Sequence, residues 1–212
     1  MTILLSDPRV SAIPVEECGE PLVTLEPDLG PARARVRAAL ADRLRAANRA
    51  LPDGICLRVV EGHRSDPDQR GIIERYSHQV AAAHPDASAI ELEQLISRFV
   101  APIHVAPHVA AAAVDLTLVD ADGTELDLGT SVDATPEESD GACYFAAAGI
   151  TAAARAHRDL LAEVLGAVGL VNYPTEWWHW SYGDRYWALL TGAPSARYGP
   201  IDDHGAAAGR ST

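Results

Sequence analysis

Basic residues are scarce in this chain: 17 Lys and Arg stand against 30 Asp and Glu, a formal charge of −13. Gripping a nucleic-acid backbone needs a basic face, and docking to anionic lipid needs clustered cations, so we expect neither partner. Long apolar runs are also missing. No stretch approaches the roughly 20 residues of a membrane span. The opening Met1-Thr2-Ile3-Leu4-Leu5-Ser6-Asp7-Pro8 has no basic region, and its apolar part is too short for a secretory signal. Cysteine is sparse: Cys18, Cys56 and Cys143 are widely spaced, odd in number and without a C-x-x-C. That fits a reducing compartment, excludes a thiolate zinc site of the usual spacing, and leads us to expect a cytoplasmic protein. A chain of 212 residues buries roughly 70% of its unfolded surface and needs no disulfide staples.

With 48% apolar and 22% charged residues, the composition is that of a globular domain. We read one domain over residues 1–191 and a mobile tail over 192–212, the latter rich in Ala, Gly, Ser and Pro. Residues 1–30 read as an extended arm with a short strand. A helix is expected over 31–50, where Val36, Ala39, Leu40, Leu44 and Ala47 recur at helical spacing before the Leu51-Pro52-Asp53-Gly54 stop. Residues 55–60 read as a strand. Helices follow over 66–84 and from an Asp86 or Ser88 cap to Val100. A strand over 112–119 turns at Asp122-Gly123 into a return strand over 125–128. Residues 129–144 form a loop long enough to be functional. A helix spans 151–169, and residues 173–190 read as two strands joined near Gly183-Asp184. This order implies an α+β fold with a mostly antiparallel sheet flanked by helices.

Seven of the twelve aromatic residues, including all four tryptophans, lie between Tyr173 and Trp187. A core strand pair would explain them. Glu176 and His179 sit among these indoles, where a carboxylate and an imidazole are costly to desolvate without partners. A metal ion would compensate both, provided a bulge or strand mouth overrides the rule that residues i and i+3 of a strand face opposite ways. A second cluster holds His108 before an apolar strand and Asp115 within it. Alone, Asp115 reads equally as a solvent-facing acid on an edge strand. Together the clusters offer two imidazoles and a carboxylate, a recurring catalytic zinc set, with Glu176 as a spare base for water. His104 is a competing ligand; His63, His78, His84, His157 and His204 read as solvated side chains.

The spacing of His108 to Asp115, continued by Asp-Leu-Thr-Leu, and the later Glu176-Trp177-Trp178-His179 resemble the zinc D-alanyl-D-alanine dipeptidases of the vancomycin-resistance type, within the zinc DD-carboxypeptidase family. The likeness covers roughly 59–187 and implies a hedgehog/DD-peptidase-like fold. It implies Zn²⁺ held by His108, Asp115 and His179, with Glu176 as general base. It also implies Arg64, after Glu61-Gly62-His63, as the oxyanion donor and Asp133 as the group that binds the substrate ammonium. The implied activity is hydrolysis of small dipeptides, D-Ala-D-Ala first, in cell-wall peptide metabolism. A DD- or LD-carboxypeptidase, a natural-product dipeptidase and a non-catalytic zinc-containing binding module stay open as alternatives, and so does a homodimer. The chain departs from the pattern at Ala106 for serine, Ala111 for glycine, His63 for tyrosine and Ser65 for proline. The Ala106 change bears on substrate choice, and the Ala111 change asks for a backbone conformation that alanine can adopt.

Overall fold

The structure is a computed structural model that describes residues 2–201; His204 and the rest of the expected tail beyond residue 201 lie outside the described residues. Chain order is a short helix α1 (Pro8–Ala12), strands β1 (Leu22–Thr24) and β2 (Arg35–Arg37), helix α2 (Ala38–Ala50), strand β3 (Ile55–Glu61), helices α3 (Asp66–Ala83) and α4 (Ala89–Ile96), strand β4 (Ala113–Asp120), helix α5 (Ala152–Ala167), strands β5 (Val171–Asn172) and β6 (His179–Ser181), and helix α6 (Arg185–Thr191). Four strands form an antiparallel sheet in the order β3-β4-β6-β5, and β1 pairs with β2 apart from it. The fold is therefore α+β, as expected. No helix among the described residues is long and apolar enough to cross a membrane.

Strand β4 is the centre of the domain. It lies between β3 and β6, and both of its faces are buried. Val114, Leu116 and Leu118 share one face by the two-residue period of a strand. They join Leu40 and Leu44 of α2 and Leu161 and Leu165 of α5 in the main core. The opposite face carries Asp115 and Thr117, so the same strand supplies the core and a polar site behind it.

Four expectations are corrected. The helix expected over 31–50 starts only at Ala38, because residues 35–37 pair with β1 and the Arg37 N–H donates to the Ala111 carbonyl. Pairing across the fold here outweighs local helix propensity. The expected return strand after Asp122-Gly123 is one bridge, Val119 to Glu125; the Asp120 carboxylate captures the N–H groups of Asp122 and Thr124 in a tight turn. The second strand expected within 173–190 is helix α6, whose first turn is capped by the Asp184 carboxylate accepting the Trp187 N–H at 2.6 Å. Helix α4 ends at Ile96 rather than Val100, although its Ser88 cap stands.

The expected tail is described only as far as residue 201. Residues following Gly192 are packed as far as 201: Ala196 bridges Val15, and Tyr198 is 2% exposed. The Tyr198 hydroxyl donates to Glu20 at 2.6 Å, and the Arg37 guanidinium lies 5.0 Å from its ring centre. Gly183, at φ +82, passes so close to this ring that any Cβ would collide with it. Tyr198→Ala is expected to cost about 3 kcal/mol or more, read as a lower urea midpoint; an unchanged midpoint would show that this segment does not pack in solution.

Candidate metal centre and its pocket

The register of the sheet assembles the site. Asp115 pairs directly with His179 on β6 and with Glu61 on β3, so three polar residues form one row across adjacent strands. Directly paired residues point to the same face. The edge-strand alternative for Asp115 is thereby settled: it is buried in the middle of the sheet. His108 arrives from the turn before β4, closed by the Ala111 N–H to the His108 carbonyl and the Ala112 N–H to the Pro107 carbonyl. Ala111 makes that turn at φ 52, in the left-handed region, fully buried. Alanine adopts this conformation at a cost of about 1 kcal/mol, so the glycine-to-alanine departure is strained rather than neutral.

One ligand atom from each of His108, Asp115 and His179 lies within 4.8 Å of the others. His108 Nδ1–H donates to the Gly62 carbonyl at 2.8 Å, which leaves the Nε2 lone pair facing inward. That lone pair sits 3.1 Å from His179 Nδ1 and 3.3 Å from Asp115 Oδ2. His179 Nδ1 is 3.1 Å from Asp115 Oδ1. Burial disfavours charge on all three groups. The two imidazoles nevertheless hold the Asp115 carboxyl below the usual carboxylate range. Burial pulls both imidazoles down, but Asp115 draws His108 upward on balance while His179 stays lowered. Convergent nitrogen and oxygen lone pairs, with the outer ring nitrogen of His108 fixed by a carbonyl, form a donor set that could hold a metal ion.

Glu176 joins the cluster because β5 and β6 meet in a tight connection over residues 173–178. The Glu176 N–H donates to the Tyr173 carbonyl, and the Asn172 side-chain amide donates to the Glu176 and His179 carbonyls at 2.9 Å each. This turn at the strand mouth brings residues i and i+3 to one side and puts Glu176 Oε2 3.7 Å from His179 Nδ1. Burial, then Asp115 and Asp133, push the Glu176 carboxyl well above its ordinary range.

These groups line a cavity of about 240 Å³ together with Arg64, Asp133 and apolar walls from Leu5, Phe99, Val100 and Trp178. Arg64 follows β3, where the ladder shifts register between Val59 and Glu61. Its guanidinium makes a bidentate pair with Glu61 and donates to Gln69 Oε1 at 2.8 Å. The nearby acids Asp66 and Asp68 bond instead to Arg70 and Ser65. Asp133 is open to solvent yet lines the cavity at φ 65. Desolvation on the cavity side, then Asp115 and Glu61, push its carboxyl up to about 6. Ala106 also lines the wall. His104 lies on an exposed 3₁₀ turn outside the cluster, and His63, His78, His84 and His157 are not part of it.

Sequence reasoning passed over Glu61 and Gln69, which hold Arg64, and Tyr173, whose hydroxyl accepts the Leu5 N–H and donates to the Ser97 carbonyl. Only the spacing of Glu61 and Arg64, three residues apart at a strand end, hinted at their pairing.

A family model described as D-ala-D-ala dipeptidase matches residues 39–191. A D-alanyl-D-alanine dipeptidase of Synechocystis sp. is 32% identical over 94 residues, covering 41% of this chain. The chain spans only 38% of the length of that curated relative. Among solved structures, a variant of the vancomycin resistance D,D-pentapeptidase VanY in complex with Zn(II) is 18% identical, with 84% of this chain and 86% of that one covered at a TM-score of 0.46. VanYB in complex with D-alanine-D-alanine is 19% identical, covering 82% and 84% at a TM-score of 0.47. The family match extends over well more than half of the sequence, and the chain belongs to the D-ala-D-ala dipeptidase family.

Proposed function

We propose that this chain is a zinc-dependent dipeptidase that hydrolyses small dipeptides, D-Ala-D-Ala first. The observation that carries the reading is the convergence of His108, Asp115 and His179 with Glu176 beside them in one cavity. Two imidazoles and a carboxylate fit zinc in its catalytic form, with a position left open. Bound there, zinc would polarise the scissile carbonyl and make a water molecule far more acidic.

Glu176 accepts a proton from the attacking water as the water oxygen bonds to the carbonyl carbon. It then delivers that proton to the departing amine as the C–N bond breaks. Burial raises the Glu176 carboxyl above its ordinary range, which makes it a stronger proton acceptor than an exposed carboxylate. Arg64 aims a fixed charge at the developing oxyanion. A guanidinium has five N–H donors; three are engaged by Glu61 and Gln69, which leaves two for substrate and keeps the group rigid. Asp133 receives the substrate ammonium at the open side of the cavity. The cavity, at about 240 Å³, is smaller than pockets that enclose drug-sized ligands, which favours dipeptides over longer wall peptides. Cys18, Cys56 and Cys143 are free, which supports a cytoplasmic setting.

The deciding experiment is metal analysis followed by hydrolysis of a panel of LL, LD, DL and DD dipeptides with and without chelator. Bound zinc and chelator-sensitive cleavage are expected; no cleavage of any member would leave a binding module. His179→Ala is expected to weaken zinc binding by more than about 100-fold, beyond what outer-shell changes cost; full occupancy would remove it from the ligand set. Glu176→Gln should keep zinc and lose roughly 10²–10⁴ in kcat, and near-parental turnover would assign the base elsewhere. Asp133→Asn should raise KM about tenfold for dipeptides with a free amino terminus; an unchanged KM would place the ammonium at another group.

A further inference from the structure

We propose that Arg158 is a positioning residue: its single guanidinium fastens both ends of the long loop that carries Asp133 and ties that loop to the turn that carries Glu176. The inference rests on the reading in which Asp133 meets the substrate ammonium.

Arg158 lies on the inward face of α5 and is completely buried. Its hydrogen-bond partners are main-chain carbonyls. Nε donates to Leu128 at 2.8 Å, before the loop begins. Nη2 donates to Ala142 at 2.8 Å, and Nη1 donates to Tyr144 at 2.6 Å and Phe145 at 3.3 Å, where the loop ends. The segment between, residues 129–141, contains neither strand nor α-helix. The far end of this loop is sewn to the Glu176 turn by the Trp177 N–H to the Cys143 carbonyl at 3.0 Å and the Phe145 N–H to the Pro174 carbonyl at 2.9 Å. Its near end is joined to the same turn by Trp177 Nε1 donating to Thr130 Oγ1 at 2.8 Å. The guanidinium carbon lies 5.6 Å from the Trp177 ring centre.

A neighbouring leucine such as Leu161 fills α5's inner face at no electrostatic cost, whereas a buried cation must be satisfied by hydrogen bonds. The planar fork reaches carbonyls in several directions at once, which the compact ammonium of lysine cannot reproduce. The two functional segments differ in how much else holds them. The Glu176 turn has its own support from Asn172 and from the β5–β6 pairing. Asp133 stands mid-loop in a left-handed conformation, and its place over the cavity follows from where the loop ends are fixed. Loss of the clamp therefore reaches substrate capture before it reaches the chemical step.

The test uses the full chain loaded with zinc. Arg158→Lys should leave metal content unchanged, since the candidate ligands sit on or beside β4 and β6. Hydrogen exchange over residues 128–146 should accelerate about tenfold while β4 stays protected. KM for D-Ala-D-Ala should rise at least about tenfold, with kcat within about threefold of the parent, the split expected when charged hydrogen bonds that place a binding group are lost. Loop exchange at the parental rate would overturn the proposal. So would a reduced kcat at parental KM, which is the mark of a smaller folded fraction. Should Arg158→Lys fail to fold, Thr130→Val releases the same loop from Trp177 and must raise KM in the same sense; a parental KM there overturns the loop's link to the site. If the parent itself cleaves no dipeptide, the functional reading falls on its own, and the exchange comparison still decides the clamp.

Discussion

A carboxylate in the middle of a sheet is an expensive thing to keep, and one face of this protein's central sheet is organised around keeping one. Asp115 is buried on the central strand with His108 and His179 as its neighbours. Removing one partner of a buried ionic group costs about 3–5 kcal/mol, because the other is left uncompensated. The three side chains therefore constrain one another. The pairing of β4 with β6 sets His179 opposite Asp115, and the carbonyl of Gly62 sets the ring of His108. Glu176, Arg64 and Asp133 line the same cavity as that triad.

The chain is strongly acidic, yet the cations it does have carry much of the long-range order. Arg37 is buried and donates to the carbonyls of Ala110, Glu20 and Gly199, joining the amino-terminal arm, the turn after His108 and the last described segment. Arg64 is held by Glu61 and Gln69 at the cavity wall. Arg158 gathers four carbonyls around the loop of Asp133. Each guanidinium collects acceptors that no regular ladder satisfies, and unsatisfied buried carbonyls are what irregular segments near a site must avoid. The irregular parts of this fold are fixed by arginine forks where its regular parts are fixed by strands.

Much of the site was legible before folding. His108, Asp115, Glu176 and His179 stand out because polar, titratable residues interrupt apolar surroundings, and such interruptions need a compensating partner. The structure brings these four together and puts Arg64 and Asp133 on the same cavity. Strands β3 and β4 and helices α3 and α5 were legible from periodicity, with ends displaced by a residue or two. Glu61, Gln69 and Arg158 were not. A glutamate at a strand end and an arginine in a helix look solvated in sequence, and their importance arises only from what lies opposite them. Nor was the placement of Tyr198 legible: it packs into a gap beside Gly183.

The sequence by itself determined which chemistry was available: the nitrogen and oxygen donors, the spare carboxylate, the acidic balance and the apolar stretches that must be hidden. These follow from side-chain identity and local spacing, which a chain carries unfolded. Only the tertiary structure decided that Asp115 is central rather than at an edge, that residues 35–37 leave a helix for a strand, that Glu176 turns toward His179, and that α6 replaces a strand. The first two depend on pairing between residues far apart in the chain, against which local propensity is weak, whereas the last two rest on short-range turn and cap hydrogen bonds.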